Sequence, residues 1–349
     1  MAGELALRVR ISSFGVGAIL RYNILMSLAS ETTVKKLLEK HGVRPFKGLG
    51  QNFLINEGIL KKIVEVADIM PEDIILEVGP GIGTLTQELA KKAKKVITVE
   101  KDKKMIEILK ETLADFTNIK VIDADILKTD LVNYKLKTKN YKLISNLPYN
   151  ITSPVIRKFL EAGNPPKEMI LMVQKEVAQR ICARPHRYAK HYGQAKPPNM
   201  NLLAVSIQFY SEPEILFYVS KNSFWPRPKV DGAVIKITPQ RELRRTVLRN
   251  LFFKIVKAGF SQPRKQILNN LSRLNFSPKN LSGQAKGLAL NSSNGLKLDK
   301  SSQILRNKTW AGKETVKDWL LKNGIQPNQR AETLSIEDWL RLTKDWYKI

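Results

Sequence analysis

Residues 144–154 read ISNLPYNITSP, an amide, a proline and an aromatic ring where an apolar run (Tyr141, Leu143, Ile144) ends. None of these side chains is a strong base or an activated nucleophile. Asn146 offers a side-chain oxygen, Leu147 or Pro148 a backbone carbonyl, and Tyr149 a flat ring. Such a set can accept the two N–H bonds of an exocyclic amine and stack on the heterocycle that carries it. Adenine N6 is an amine of this kind, and a poor nucleophile because its lone pair is delocalised into the ring. Acceptors that draw the nitrogen toward a tetrahedral geometry favour its attack on a methyl donor. The resulting ammonium is acidic and sheds its proton readily, so orientation and electrostatic complementarity suffice. Pro148 stiffens the turn. A second flat surface lies in SFWPRPKVD (223–231), where Phe224 can clamp an unstacked base against Tyr149.

The donor is read from three other stretches. LEVGPGIGTL places Gly79, Gly81 and Gly83 after a short apolar strand that carries Glu77. A dinucleotide fingerprint needs its third glycine at the sixth position, and here that position is Thr84. Glu100 ends the next strand, where a carboxylate can accept both hydroxyls of a ribose. Asp125, in DADIL, stands at the end of a third strand and can accept an adenine amine. Backbone room, a ribose grip and an adenine grip at successive strand ends suit S-adenosyl-L-methionine (SAM), which has no pyrophosphate. Cys182 is the single cysteine beside three histidines, so a His/Cys zinc site is not supported and no metal is expected. With no disulfide possible inside the chain, a reducing, cytoplasmic setting is expected.

These residues need a frame that brings strand ends together. Strands at 74–78, 96–100, 119–122, 142–145 and 168–173 alternate with helices at 84–93, 103–113 and 154–162. That alternation implies an α/β fold built on a parallel sheet with helices on both faces. With the SAM-type strand ends above, the expected fold class is a Rossmann-like, SAM-dependent methyltransferase domain. Two further strands are expected at 215–219 and 233–237. After Pro239 only helical patterns remain, at 248–260, 265–274, 316–322 and 336–344. The expected organisation is an N-terminal extension (1–30), a methyltransferase domain (31–239) and a small all-helical domain (240–349). The last carries a Ser-, Asn-, Gly- and Lys-rich insertion near 275–313, and a basic loop is expected at 184–198. The 349 residues carry a formal charge of +27, of which residues 241–349 hold 22 Lys/Arg against 8 Asp/Glu. Charge of that size and placement points to a polyanion, with nucleic acid first. No apolar run reaches the length of about 20 residues that spans a bilayer, so no membrane is expected.

Taken together, QNFL (51–54), EVGPGIG (77–83), Glu100, DADIL (123–127), NLPYNITSP (146–154), FWPRPKVDGAV (224–234) and RAETLSIEDW (330–339) resemble the KsgA-type small-subunit (16S) rRNA adenine N6,N6-dimethyltransferases. The resemblance covers about residues 33–274 and 315–345, in order. It implies dimethylation of two adjacent adenosines in the 3′-terminal hairpin of small-subunit rRNA, on an immature subunit, during ribosome biogenesis. It implies that Gln51, Asn52 and Leu54 contact SAM, that Gly79 lies along its methionine part, and that Glu100 and Asp125 bind ribose and adenine. Asn146 would touch both donor and target, and the helical domain would dock on rRNA. The protein is expected to act as a monomer. The macrolide-resistance enzymes that methylate large-subunit rRNA share most of these motifs, although Leu147, Pro154 and the aspartate of PKVDGAV side with the small-subunit branch. A non-catalytic assembly factor would be expected to have lost NLPY or the acids, and a DNA adenine methyltransferase would lack the helical tail.

Overall fold

The structure, a computed structural model, describes residues 27–44, 51–130, 141–185, 199–240, 248–274 and 312–348. The N-terminal extension, the basic loop and the 275–313 segment expected from the sequence lie wholly or mostly outside these residues. The chain falls into two compact units. One takes residues up to Gln179 together with Tyr210–Gln240; the other takes Arg180–Phe209 and the residues from Arg241 onward. The stretch 180–209, read from sequence as part of the first domain, thus groups with the C-terminal helices.

In the first unit a seven-stranded sheet has the order β4-β3-β2-β5-β6-β9-β7. The strands are β2 (Ile74–Val78), β3 (Lys95–Glu100), β4 (Ile119–Asp123), β5 (Tyr141–Asn146), β6 (Met169–Gln174), β7 (Ser211–Val219) and β9 (Gly232–Pro239). β4, β3, β2, β5 and β6 are parallel, and β9 pairs antiparallel with both β6 and β7. The sheet is therefore mixed at one end rather than parallel throughout. The reason is local: residues 220–231 join β7 to β9 without the long crossover that parallel neighbours need. A dinucleotide-binding sheet runs 3-2-1-4-5-6; here the last strand is inserted, reversed, beside the fifth. β7 begins four residues earlier than the apolar pattern suggests and contains Pro213, which an edge strand tolerates because its outer N–H groups have no partner strand.

Helices cover the sheet because their apolar residues recur at helical spacing. α1 (Glu31–Lys40) buries Val34 and Leu38; α2 (Glu57–Val66) buries Leu60, Ile63 and Val64. α2 is started by Asn56, whose side chain accepts from the Ile59 N–H at 3.0 Å. α3 (Thr84–Ala90), α4 (Lys103–Thr112), α5 (Thr152–Glu161) and α6 (Lys175–Ile181) follow β2, β3, β5 and β6. Leu60, Ile63, Leu85, Leu89, Ile75, Ile144, Met172 and Val234 belong to one core cluster. Val34, Leu38, Phe53, Ile82, Met105 and Ile108 form another, which ties α1 to the segment 51–54 and to α4. That segment contributes β1 (Phe53–Leu54), paired antiparallel with β8 (Phe224–Trp225).

The second unit holds α7 (Leu202–Gln208), α8 (Leu248–Gly259), α9 (Ile267–Leu271), α10 (Gly312–Lys322) and α11 (Ile336–Lys348). Trp339 is fully buried against Phe260, with ring centroids 5.6 Å apart. A methyl group added at Gly259 would stand 2.3 Å from the Trp339 ring, so α8 passes α11 at a distance only glycine permits. α11 opens with a reciprocal cap: Ser335 N–H donates to the Asp338 carboxylate at 2.8 Å, and Asp338 N–H to Ser335 Oγ at 3.3 Å. Phe209 and Phe252 stack at 4.3 Å in the same unit.

Candidate active site

In an open α/β sheet, ligands bind beyond the carboxyl ends of the strands, where the strand order reverses. Here the reversal falls between β2 and β5. A cleft of ≈ 910 Å³, its open mouth included, lies at that place and is lined by residues 51–54, 79–81, 100–102 and 146–151, with Glu77, Thr84, Leu85 and Met105. The structure therefore brings together ten expected residues: Gln51, Asn52, Leu54, Gly79, Gly81, Glu100, Asn146, Leu147, Pro148 and Tyr149.

The turn after β2 is shaped by Gly79 and Gly81, at φ +67° and +59°, a region that side chains avoid. A Cβ at Gly79 would meet the Pro148 ring at 3.2 Å, and one at Gly81 would meet the Phe53 ring at 3.3 Å. Backbone alone thus forms this wall of the cleft. Glu100 ends β3, 8% exposed, and its Oε1 accepts from the N–H groups of Lys101 at 2.8 Å and Asp102 at 2.9 Å. Burial raises its pKa, against the backbone N–H groups of Asp102, Lys101 and Gly81, which favour the carboxylate. Gln51 Nε2 donates to Asp102 Oδ2 at 2.9 Å, and Asp102 also caps α4 through Lys104 N–H at 3.0 Å.

At the tip of β5, Asn146 Nδ2 donates to the Asn52 carbonyl at 3.4 Å, which leaves Oδ1 as its acceptor. The Pro148 carbonyl accepts twice, from Ile151 N–H at 3.1 Å and Thr152 Oγ1 at 3.4 Å. Leu147 N–H donates to Met172 at 3.1 Å, and its carbonyl has no hydrogen bond among the described residues. Of the two carbonyls offered by the sequence, Leu147 is the one left for a ligand. Tyr149 opens a short 3₁₀ turn, Tyr149–Ile151. Its buried hydroxyl has no partner among the described residues, and its pKa is pushed up to about 12 by burial and then by the charges of Glu176 and Asp231. That phenol stays protonated and does not serve as a base.

Two expected residues stand apart from the cleft lining. Phe224 is 2% exposed and belongs to the core cluster, where β8 holds it opposite Leu54. Its ring is part of the packing beneath segment 51–54, so it offers no open face to a base in this structure. Asp125 lies two residues past β4, half-buried, with Oδ1 accepting from Leu127 N–H at 2.9 Å. Conversely, Asp102, Phe53 and Met105 line the cleft without having been singled out. Asp102 carries only the signature of a helix cap, and the other two read as core.

Glu77 also lines the cleft, 1% exposed, and accepts from Thr86 Oγ1 at 2.6 Å. Burial pushes its pKa up to about 8, the Thr86 bond partly opposing and the Glu100 charge adding to the rise. Below 4.5 both the folded and the unfolded chain hold this proton; from there to about 8 only the folded chain does. The group therefore favours folding at the acid end, and that contribution is lost as the pH rises through about 8. Without SAM, the Glu77→Gln variant is expected to melt above the wild type at pH 9 and close to it at about pH 5. Parallel melting curves across that range would assign Glu77 an ordinary pKa.

A glycine turn without the third glycine of a dinucleotide loop, and a reversed strand inserted beside β6, set this unit among the Rossmann-like methyltransferases that use SAM. The donor set of the cleft fits that cofactor: a carboxylate at the end of β3 and backbone approach along Gly79–Gly81. The chain belongs to the ribosomal RNA adenine dimethylase family, whose model matches residues 46–313. It is 40% identical over 322 residues to the ribosomal RNA small subunit methyltransferase A of Alkaliphilus metalliredigens, covering 91% of this chain and 97% of the relative. The protein of the same name from Clostridioides difficile is 39% identical, over 89% of this chain and 94% of its own. Among solved structures, a dimethyladenosine transferase from Plasmodium falciparum matches with a TM-score of 0.63 and 28% identity, covering 85% of this chain and 98% of that one. The 23S rRNA methyltransferase ErmE shares the fold, with a TM-score of 0.58 at 24% identity over 84% of this chain and 98% of its own. Among the described residues, no helix is long and apolar enough to cross a membrane.

Proposed function

We infer that the protein dimethylates adenine N6 in small-subunit rRNA, with SAM as the methyl donor. The observation that carries this is the placement of Asn146, Leu147, Pro148 and Tyr149 at the switch-point cleft, with acceptors and a ring but no base. SAM, when bound, supplies a methyl group on a cationic sulfur. The residues of this chain do the rest by position. Asn146 Oδ1 and the Leu147 carbonyl accept the two N–H bonds of the target amine, and this pull grows as the nitrogen gains positive charge. Tyr149 stacks on the base and stays neutral. Glu100 holds the ribose of the donor, and Asp125, one strand farther out, its adenine.

The target is two adjacent adenosines of the 3′-terminal hairpin, met on an immature small subunit in the cytoplasm, and the protein acts as a monomer. The basic C-terminal helices grip the rRNA through phosphate contacts, so binding falls steeply with salt. The large-subunit alternative is not favoured, since the curated relatives near 40% identity carry small-subunit names. The test is purified protein with labelled SAM and undermethylated small subunits, followed by mapping of modified nucleotides. The expected product is N6,N6-dimethyladenosine at two neighbouring positions near the 3′ end. Label confined to large-subunit RNA, or to single methyl groups elsewhere, overturns the assignment.

A further inference from the structure

Tyr218 is a large aromatic residue left 49% exposed on β7, and a solitary exposed tyrosine needs no explanation. Its neighbours give it one. The ammonium of Lys175 lies 5.3 Å from the ring centroid. Lys175 begins α6, and its N–H donates to the Asp231 carbonyl at 2.9 Å. Asp231 in turn accepts from Lys221 N–H through Oδ1 at 3.0 Å. Glu176 and Asp231 lie close enough to Tyr149 for their charges to act on its phenol. Glu176 and Asp231 thus stand between the surroundings of Tyr149 and the Lys175–Tyr218 pair, all on the first unit.

The strand registers give its length. Asn146 is opposite Met172, Met172 opposite Val234, and Val234 opposite Phe217, the neighbour of Tyr218. Three steps between strands place Tyr218 about 14 Å from the target pocket. That is a span of a few nucleotides, along the same edge of the sheet. Arg227 and Lys229 are exposed on the segment that leads into β9. An exposed ring with a cation on it, within a few nucleotides of a pocket for a flipped base and on the same unit as the exposed Arg227 and Lys229, suits a strand whose bases stack and whose phosphates need counter-charge.

We propose that Tyr218 and Lys175 form a second nucleotide position, where a base flanking the target adenosine stacks on the Tyr218 ring and Lys175 meets the adjoining phosphate. The position rests on the reading of this protein as an RNA methyltransferase. It holds the displaced strand while the target occupies the cleft. Neither residue touches the target amine or the donor.

The experiment is methylation of undermethylated small subunits at saturating SAM, with wild type, Tyr218→Ala, Tyr218→Phe and Lys175→Met, each checked for melting temperature and for SAM affinity. Tyr218→Ala is expected to raise the half-saturating subunit concentration about tenfold, with the maximal rate retained. Tyr218→Phe, which keeps the ring, is expected to behave as wild type. Lys175→Met is expected to weaken binding and to lower the salt slope by about one. A merely structural tyrosine would instead lower the melting temperature of the alanine variant, and that result overturns the proposal. So does an unchanged half-saturation for Tyr218→Ala beside an active wild type. A defect on subunits with unchanged binding of a single-stranded RNA oligonucleotide assigns the patch to a ribosomal protein and overturns it as well. A wild type that transfers no methyl to subunits overturns the function and this position together.

Discussion

Asn146→Ala is expected to lower the maximal rate of methylation about 100- to 1,000-fold while binding of SAM and of the small subunit changes little. The side chain offers one acceptor to a neutral amine in the ground state. As N6 attacks, its N–H groups become those of an ammonium, and a hydrogen bond to a charged donor is roughly twice as strong. The loss therefore falls on the rate rather than on affinity. The backbone already orients the group: β5 is fixed by its pairing with β6 up to Asn146, and Nδ2 rests on the Asn52 carbonyl. Alanine leaves Asn52 without this contact, so the variant needs a check of its melting temperature. Tyr149 provides the contrast. Its hydroxyl has no partner among the described residues and is held neutral, so Tyr149→Phe should keep most activity, whereas Tyr149→Ala removes the stacking ring. Single-turnover assays on undermethylated subunits separate these outcomes. A near wild-type rate for Asn146→Ala would remove the amide from the mechanism.

The parts of this chain that a sequence reveals are those where one local rule decides. β2, β3 and β5 are short apolar runs ended by Gly79, Glu100 and Asn146, and each run is a buried strand whose tip meets the others at the switch point. The reversed pairing of β9 was hidden because an apolar run looks the same in either direction. Lys142 inside β5 reads as an exception in an apolar strand; it is 3% exposed and paired with Asp73 at 3.2 Å and Glu168 at 2.9 Å, partners that sequence spacing cannot announce. The burial of Phe224 escapes the sequence for a related reason. Proline and cations beside an aromatic residue suggest an exposed loop, but the pairing of β8 with β1 turns Phe224 into the core. Tyr218 gave no signal at all, since its meaning comes from Lys175, which is distant in sequence. Between Leu147 and Pro148 the sequence left two carbonyls, and only the 3₁₀ turn, by using the Pro148 oxygen twice, distinguishes them.

Glu100→Ala is expected to weaken SAM binding roughly 100- to 10,000-fold. Two ribose hydroxyls donating to a carboxylate contribute about 1.5–3 kcal/mol each, and every 1.4 kcal/mol is about tenfold in affinity. The pocket makes the upper end of that range reachable, because Glu100 is 8% exposed and water competes poorly for it. The same carboxylate accepts from Lys101 and Asp102 N–H, so alanine also releases two donors at the rim of the cleft. Glu100→Gln separates the two effects. The amide oxygen keeps the backbone contacts or one hydroxyl, and the loss should shrink to about tenfold. Acidity supplies a second readout. Burial raises the Glu100 pKa, so on acidification the wild type should lose SAM affinity at a higher pH than an ordinary carboxylate would impose. The glutamine variant should lose that pH dependence. Once SAM is saturating, both variants should regain most of the wild-type rate, since the ribose is remote from the methyl group and the amine acceptors at Asn146 and Leu147 are untouched. Calorimetry across pH tests the affinity, and single-turnover methylation at high SAM tests the rate. An unchanged affinity in a folded Glu100→Ala protein would remove the ribose grip from β3; a rate that stays low at saturation would move Glu100 from holding the donor to aligning its methyl.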